Sequence, residues 1–139
     1  MSLEENKAIV RRLVEEGLNV WNFEVIDELI DASFVNHSPA YGVTTGLEGL
    51  KQYLRIMRSA FPDIKATIDD LIAENDKVVV RMTGVGTHKG ELAGIPATGK
   101  QVKIEQIGIF RLVGGKVVER WVISDRLSTM EQIGVIPSQ

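Results

Sequence analysis

The apolar residues of this chain change their spacing once, near Ile64, and nothing else in the sequence restricts the fold so strongly. Upstream they recur at helical intervals: Ile9, Val10, Leu13, Val14 and Trp21; then Val25, Ile26, Leu29 and Ile30; then Leu47, Leu50, Leu54, Met57 and Phe61. Downstream the period drops to two, over 64–73, 77–88, 101–112 and 116–124. Helices gathered at one end and an antiparallel meander at the other predict an α+β fold, not a parallel sheet with alternating helices.

Capping and turn residues set the expected boundaries. Ser2 with Glu5 has capping-box spacing and opens a first helix that runs to about Asn19. A second, short helix enters after Asn22 and ends near Asp31, and Phe34 to His37 reads as a short strand stopped by Ser38-Pro39. Thr45 and Glu48 form another capping box for the third helix, which Pro62 halts. Glu74-Asn75-Asp76, the loop from Gly90 to Gly99 and Gly114-Gly115 separate the four long strands. Leu127, Met130 and Ile133 suggest a last short helix with Gly134 as its C-cap. No repeat or linker interrupts the sequence, so a single domain over 1–139 is expected.

With 139 residues, 44% hydrophobic and 25% charged, the chain suits one globular core that buries roughly two-thirds of the unfolded surface. The net charge of −3 and the scattered basic residues argue against nucleic acid as a partner. No apolar run approaches a membrane span and the acidic start lacks an apolar leader, so neither membrane nor secretion is expected. Without cysteine there is no disulfide, thiolate nucleophile or Cys-bound metal, which suits a cytoplasmic protein.

Three local patterns carry no function. Gly94-Ile95-Pro96-Ala97-Thr98-Gly99-Lys100 looks like a phosphate-binding loop, but Gln101 stands where Ser or Thr is required and a strand, not a helix, follows. Gly84, Gly86 and Gly90 do not match a dinucleotide fingerprint. Asn36-His37-Ser38 is a glycosylation sequon by letter only.

Both faces of strand 101–112 carry apolar residues, so both are expected to be covered. A three-residue turn after Leu112, with Gly115 in a bulge, sets Gln106, Gly108 and Phe110 on one face with Val118, Arg120 and Val122. A two-residue Gly114-Gly115 turn would bring Glu119, Trp121 and Ile123 there instead. The three-residue form is preferred because it pairs Ile107 with Trp121 on the opposite face. Ile107, Ile109, Trp121 and Ile123 then make an apolar patch, expected to be buried in a homodimer with Lys103, Glu105, Arg111 and Glu119 as its charged rim.

The segment from Gly86 to Lys100, Gly86-Thr87-His88-Lys89-Gly90-Glu91-Leu92-Ala93-Gly94-Ile95-Pro96-Ala97-Thr98-Gly99-Lys100, resembles the SnoaL-like polyketide cyclase (ester cyclase) family. So do Ala60-Phe61-Pro62-Asp63, Phe110-Arg111 before a Gly-Lys turn, and the run from Trp121 through Asp125 to Glu131-Gln132-Ile133-Gly134. The resemblance implies a cone-shaped, nuclear-transport-factor-like (cystatin-like) fold, in which a curved antiparallel sheet wraps over N-terminal helices around a pocket for a small apolar molecule. It also implies a homodimer, and aldol closure without cofactor by an Asp on the last strand assisted by a His on the preceding one. Those positions fall here at Val122 and Gly108.

The candidate catalytic residues are His88, Asp125 and His37, and the candidate substrate-binding residues are Arg120, Gln106, Phe110, Val122 and Gly108. Histidine is the side chain that titrates near neutrality, which makes His88 and His37 possible bases; the plainer reading is two residues at strand ends. Asp125 follows Trp121 in the family pattern, yet it directly precedes the last helix, where it suits an N-cap. His88 and Asp125 sit at element ends, so replacing either is expected to leave the fold intact. Arg120 either anchors a carboxylate or enolate, or pairs with Glu105 or Glu119. Gln106 either orients a carbonyl or is a satisfied core amide. No His-x-His or His-Glu-x-x-His spacing supports a metal site.

Three functions remain open: a cofactor-independent cyclase or isomerase moving a proton beside a carbonyl, a non-catalytic binding module for a small apolar ligand, and a hydrolase using a pocket water. Whether a carboxylate or His shares the cavity with Arg120 or Gln106 separates them.

Overall fold

The computed structural model describes residues 2–137. Helix α1, Leu3–Arg12, starts at the expected capping box, with the Ser2 hydroxyl and the Glu5 carboxylate each accepting the other's backbone N–H. It runs on into wider turns over Leu13–Leu18, where Asn19 N–H reaches the Val14 carbonyl, five residues back. Asn22 caps α2, Phe23–Leu29, through the amides of Glu24 and Val25. The backbone is already extended at Ile30, so strand β1, Ile30–Asn36, begins where the helical stripe was expected to finish.

Helix α3, Leu47–Ala60, is capped by Gly46, and the expected Thr45–Glu48 box does not form. The Thr45 carbonyl accepts from Asn36 N–H at 2.7 Å, which ties Thr45 to the end of β1 instead of the helix. Four strands follow: β2, Lys65–Glu74, β3, Lys77–Thr87, β4, Gln101–Val113, and β5, Lys116–Ser124. Helix α4, Arg126–Gln132, ends at Gly134, whose positive φ of 87° suits glycine after a helix.

The sheet order is β1-β5-β4-β3-β2. Strands β2 to β5 form the expected meander, but β1 runs parallel to β5, so the sheet is mixed and not wholly antiparallel. A parallel neighbour needs a long crossover, and α3 with the three hairpins supplies it. The helices cover one face. Val10, Leu13, Val14, Ile26 and Leu54 meet Val78, Val80, Phe110, Leu112 and Val117 there, all buried. A second cluster joins Met57, Ala60 and Phe61 of α3 and its end to Leu92, Val102, Ile104 and Ile133.

The β4–β5 connection corrects the expected turn. It is the two-residue Gly114-Gly115 form, with φ of 57° and 82°. A bulge then skips Val118: Leu112 pairs with Val117, and Arg111 pairs with Glu119. That extra residue restores the face, so Arg120 and Val122 still lie beside Phe110 and Gly108. Trp121 pairs with Ile109, and Ile107 with Ile123, instead of the expected Ile107–Trp121 pair. Among the described residues no helix is long and apolar enough to cross a membrane.

Candidate functional site

Period two along β5 sends Arg120, Val122 and Ser124 to the helix-covered face, and the same alternation in β4 sends Gln106 there. Tyr53 and Met57 of α3 lie opposite, the end of β1 adds Asn36, and the loop after it adds Ser38 and Tyr41. Together with Arg126 these line a chamber of about 40 Å³. A second chamber of about 90 Å³ adjoins it, walled by Leu18, Trp21, Leu50, Leu54, Ile64 and Met82. Tyr53, Met57, Ile104, Gln106 and Arg120 line both chambers and form the waist between them.

Arg120 is 6% exposed, and its guanidinium carbon lies 5.9 Å from the centre of the Phe110 ring. Among the described residues no carboxylate pairs with it. The two acids expected as partners lie on the other face of the sheet: Glu119 holds His37 at 2.7 Å and also pairs with Arg111, and Glu105 holds Lys103 at 3.4 Å. Desolvation pulls the Arg120 pKa below its ordinary value, with Tyr53 opposing. A guanidinium nevertheless keeps its proton in proteins, so the waist of the cavity carries an uncompensated cation. Burial pushes the phenols of Tyr53 and Tyr41 up, Arg126 opposing in both, so each is a hydrogen-bond donor at neutral pH. Their rings stack with centroids 6.2 Å apart.

Of the candidate residues, the structure brings Gln106, Arg120 and Val122 to the cavity wall. Phe110 lies in the core beneath Arg120, and Gly108 is the cross-strand partner of Val122, so both support the wall without lining it. The three candidate catalytic residues stand elsewhere. His88 is fully buried against Phe61, ring centres 5.6 Å apart, and its Nδ1 accepts the Thr98 N–H at 3.3 Å. Asp125 caps α4 by accepting the Ser128 N–H at 2.9 Å, and it borders a groove on the outer face of the sheet. His37 stacks on Trp121 on that outer face, 4.8 Å between centres. The outer groove has a volume of about 780 Å³ and includes Ile107, Ile109, Trp121 and Ile123.

Sequence reasoning missed Tyr53, Tyr41 and Arg126. Tyr53 had a signal, since it falls three residues after Leu50 and four before Met57 on the buried stripe of α3. Tyr41 belongs to a loop whose path no periodicity records.

The comparisons with known proteins agree with this architecture. The sequence matches the model of the family described as SnoaL-like polyketide cyclase over residues 8–133. It is 30% identical over 133 residues to the aklanonic acid methyl ester cyclase DnrD of Streptomyces peucetius, covering 91% of this chain and 88% of that protein. The nogalonic acid methyl ester cyclase of Streptomyces nogalater is 27% identical over 121 residues, covering 85% and 90%. Among solved structures, AclR of Streptomyces galilaeus superposes with a TM-score of 0.88 at 28% identity, covering 99% of this chain and 86% of that one. IdmH of Streptomyces antibioticus does so with a TM-score of 0.81 at 29% identity, covering 93% and 98%. Matched by the family's model from the first helix to the end of the last, the chain belongs to the SnoaL-like polyketide cyclase family.

Proposed function

We propose that the cone binds a small, enolisable, anionic carbonyl compound, with Arg120 as its charged anchor and Gln106 and Tyr53 orienting its oxygens. One observation carries this reading: among the described residues neither chamber is lined by a carboxylate or a histidine, while a buried arginine without a carboxylate partner stands between them. Proton transfer beside a carbonyl and hydrolysis by a pocket water both need a base within hydrogen-bond reach. His88, Asp125 and His37 are held elsewhere by other contacts. Ligand binding therefore takes precedence over the proton-transfer and hydrolase readings.

The relatives named above as cyclases of aklanonic and nogalonic acid methyl esters support a carbonyl compound as the ligand class. The chambers limit its size. Together they are smaller than the ~150 Å³ cavity that holds benzene, so they enclose at most one ring and the rest of the ligand extends outside them. The cysteine-free sequence suits work in a reducing cytosol.

The probe is 4-oxo-4-phenylbutanoate, a one-ring ketone with a separate carboxylate. Calorimetry should give saturable binding to the wild type, weakened about tenfold or more by Arg120→Met. Deuterium exchange at the carbon next to the ketone, followed by NMR, should stay at the buffer rate. Exchange accelerated by the wild type would overturn the binding-only reading, and absence of saturable binding would overturn the reading as a whole.

A further inference from the structure

The chain has 19 acidic and 16 basic residues, yet the charges around the cavity do not follow that balance. No Asp, Glu or Lys among the described residues lines either chamber, and the two charged side chains that do are both arginines. Arg120 stands at the waist, buried. Arg126 lines the smaller chamber and is exposed, its guanidinium carbon 5.9 Å from the centre of the Tyr41 ring. Among the described residues Arg126 forms no ion pair, and the carboxylate of its neighbour Asp125 is turned to the Ser128 amide.

We infer that the cone selects a ligand with two separated oxygen groups, an enol or ketone oxygen for Arg120 and a free carboxylate for Arg126, and therefore favours the free acid over its ester. The inference rests on the proposed binding reading and deepens it. Both cations line an acid-free cavity, and anionic groups that enter it compensate them. Its contact with the Tyr41 ring uses none of its N–H groups, so the Arg126 guanidinium can meet a carboxylate bidentately, as arginine does in planar recognition. An ester lacks the second oxygen anion that such a fork needs. Because Arg126 is exposed to water, its contact is the weaker and the more sensitive to salt.

The test compares 4-oxo-4-phenylbutanoate with its methyl ester by calorimetry at low salt. The wild type should prefer the acid about tenfold. Arg126→Gln should bring the ratio of the two affinities close to one, and Arg126→Lys should keep part of the preference. An acid-to-ester ratio near one in the wild type, or a wild-type ratio retained in Arg126→Gln, would overturn the inference. Binding of the acid that Arg120→Met weakens would still uphold the underlying reading in that case, whereas failure of both compounds to bind would remove that reading and this inference with it.

Discussion

His88 is fully buried, although it directly follows the end of a strand. The loop after β3 folds back over it: Lys89 and Gly90 both donate to the Ala60 carbonyl, at 3.0 and 3.1 Å, and Leu92 is fully buried. Gly90 makes this possible, since a Cβ there would lie 2.1 Å from the Ser59 oxygen. The expectation that His88→Ala leaves the fold intact is therefore revised. Removing the ring opens a cavity beside Phe61 and strands the Thr98 amide, a loss of about 3 kcal/mol in urea denaturation. A change within 0.5 kcal/mol, roughly the scale of surface substitutions, would contradict this packing. At the same scale, Arg120 was legible as an inward residue from period two alone, but its lack of a partner was not. That depended on where Glu119 turned, and Glu119 was captured by His37 and Arg111 on the far side of the sheet.

Between elements, Asp63 makes the clearest tie, joining the end of α3 to the end of β3. Its carboxylate accepts the Thr87 N–H at 2.7 Å and the Thr87 hydroxyl at 2.8 Å. Those bonds, the backbone one first, hold its pKa below the ordinary 3.8. A depressed carboxylate pKa adds stability above the unfolded value and loses it as pH falls through the lower folded value. Asp63→Asn should therefore lower Tm at pH 7 and make the fall of Tm below pH 3.8 shallower, which thermal melts across that range measure directly. Element order and type were legible because period and caps are local properties: strand 116–124 and the Ser2 and Asn22 caps stand where the sequence put them. The β4–β5 turn was misread because a bulge leaves no mark in the alternation. Both Val117 and Val118 suit a strand, and only pairing with β4 decides which one is skipped. The parallel seating of β1 was likewise hidden, since seven residues of strand carry no sign of direction.

For the molecule as a whole, the outer face of the sheet sets the expectation for assembly. Ile107 is 52% exposed and Ile123, its cross-strand partner, is 82% exposed, next to the Ile109–Trp121 pair. We propose that a second copy covers this face about a two-fold axis. Arg81, Glu105, Lys103 and Asp125 border it with both signs of charge, so the patch can meet its own copy without net repulsion. Trp121→Ala, removing an aromatic worth about 3–5 kcal/mol when buried, should weaken dimerisation more than Arg111→Ala does. Sedimentation of both variants beside the wild type at micromolar concentration checks this, and a wild type that stays monomeric would reject it. The parallel pairing of β1 with β5 also governs how the chain is made. Ile30 meets Val117, so the N-terminal helices cannot close their core until the last strand has been synthesised. At ~5–20 residues per second the nascent chain spends several seconds with Val10, Leu13 and Ile26 uncovered. Arg120 arrives on that last strand and Arg126 directly after it, so the cavity acquires its charge only as the last elements of the fold are made.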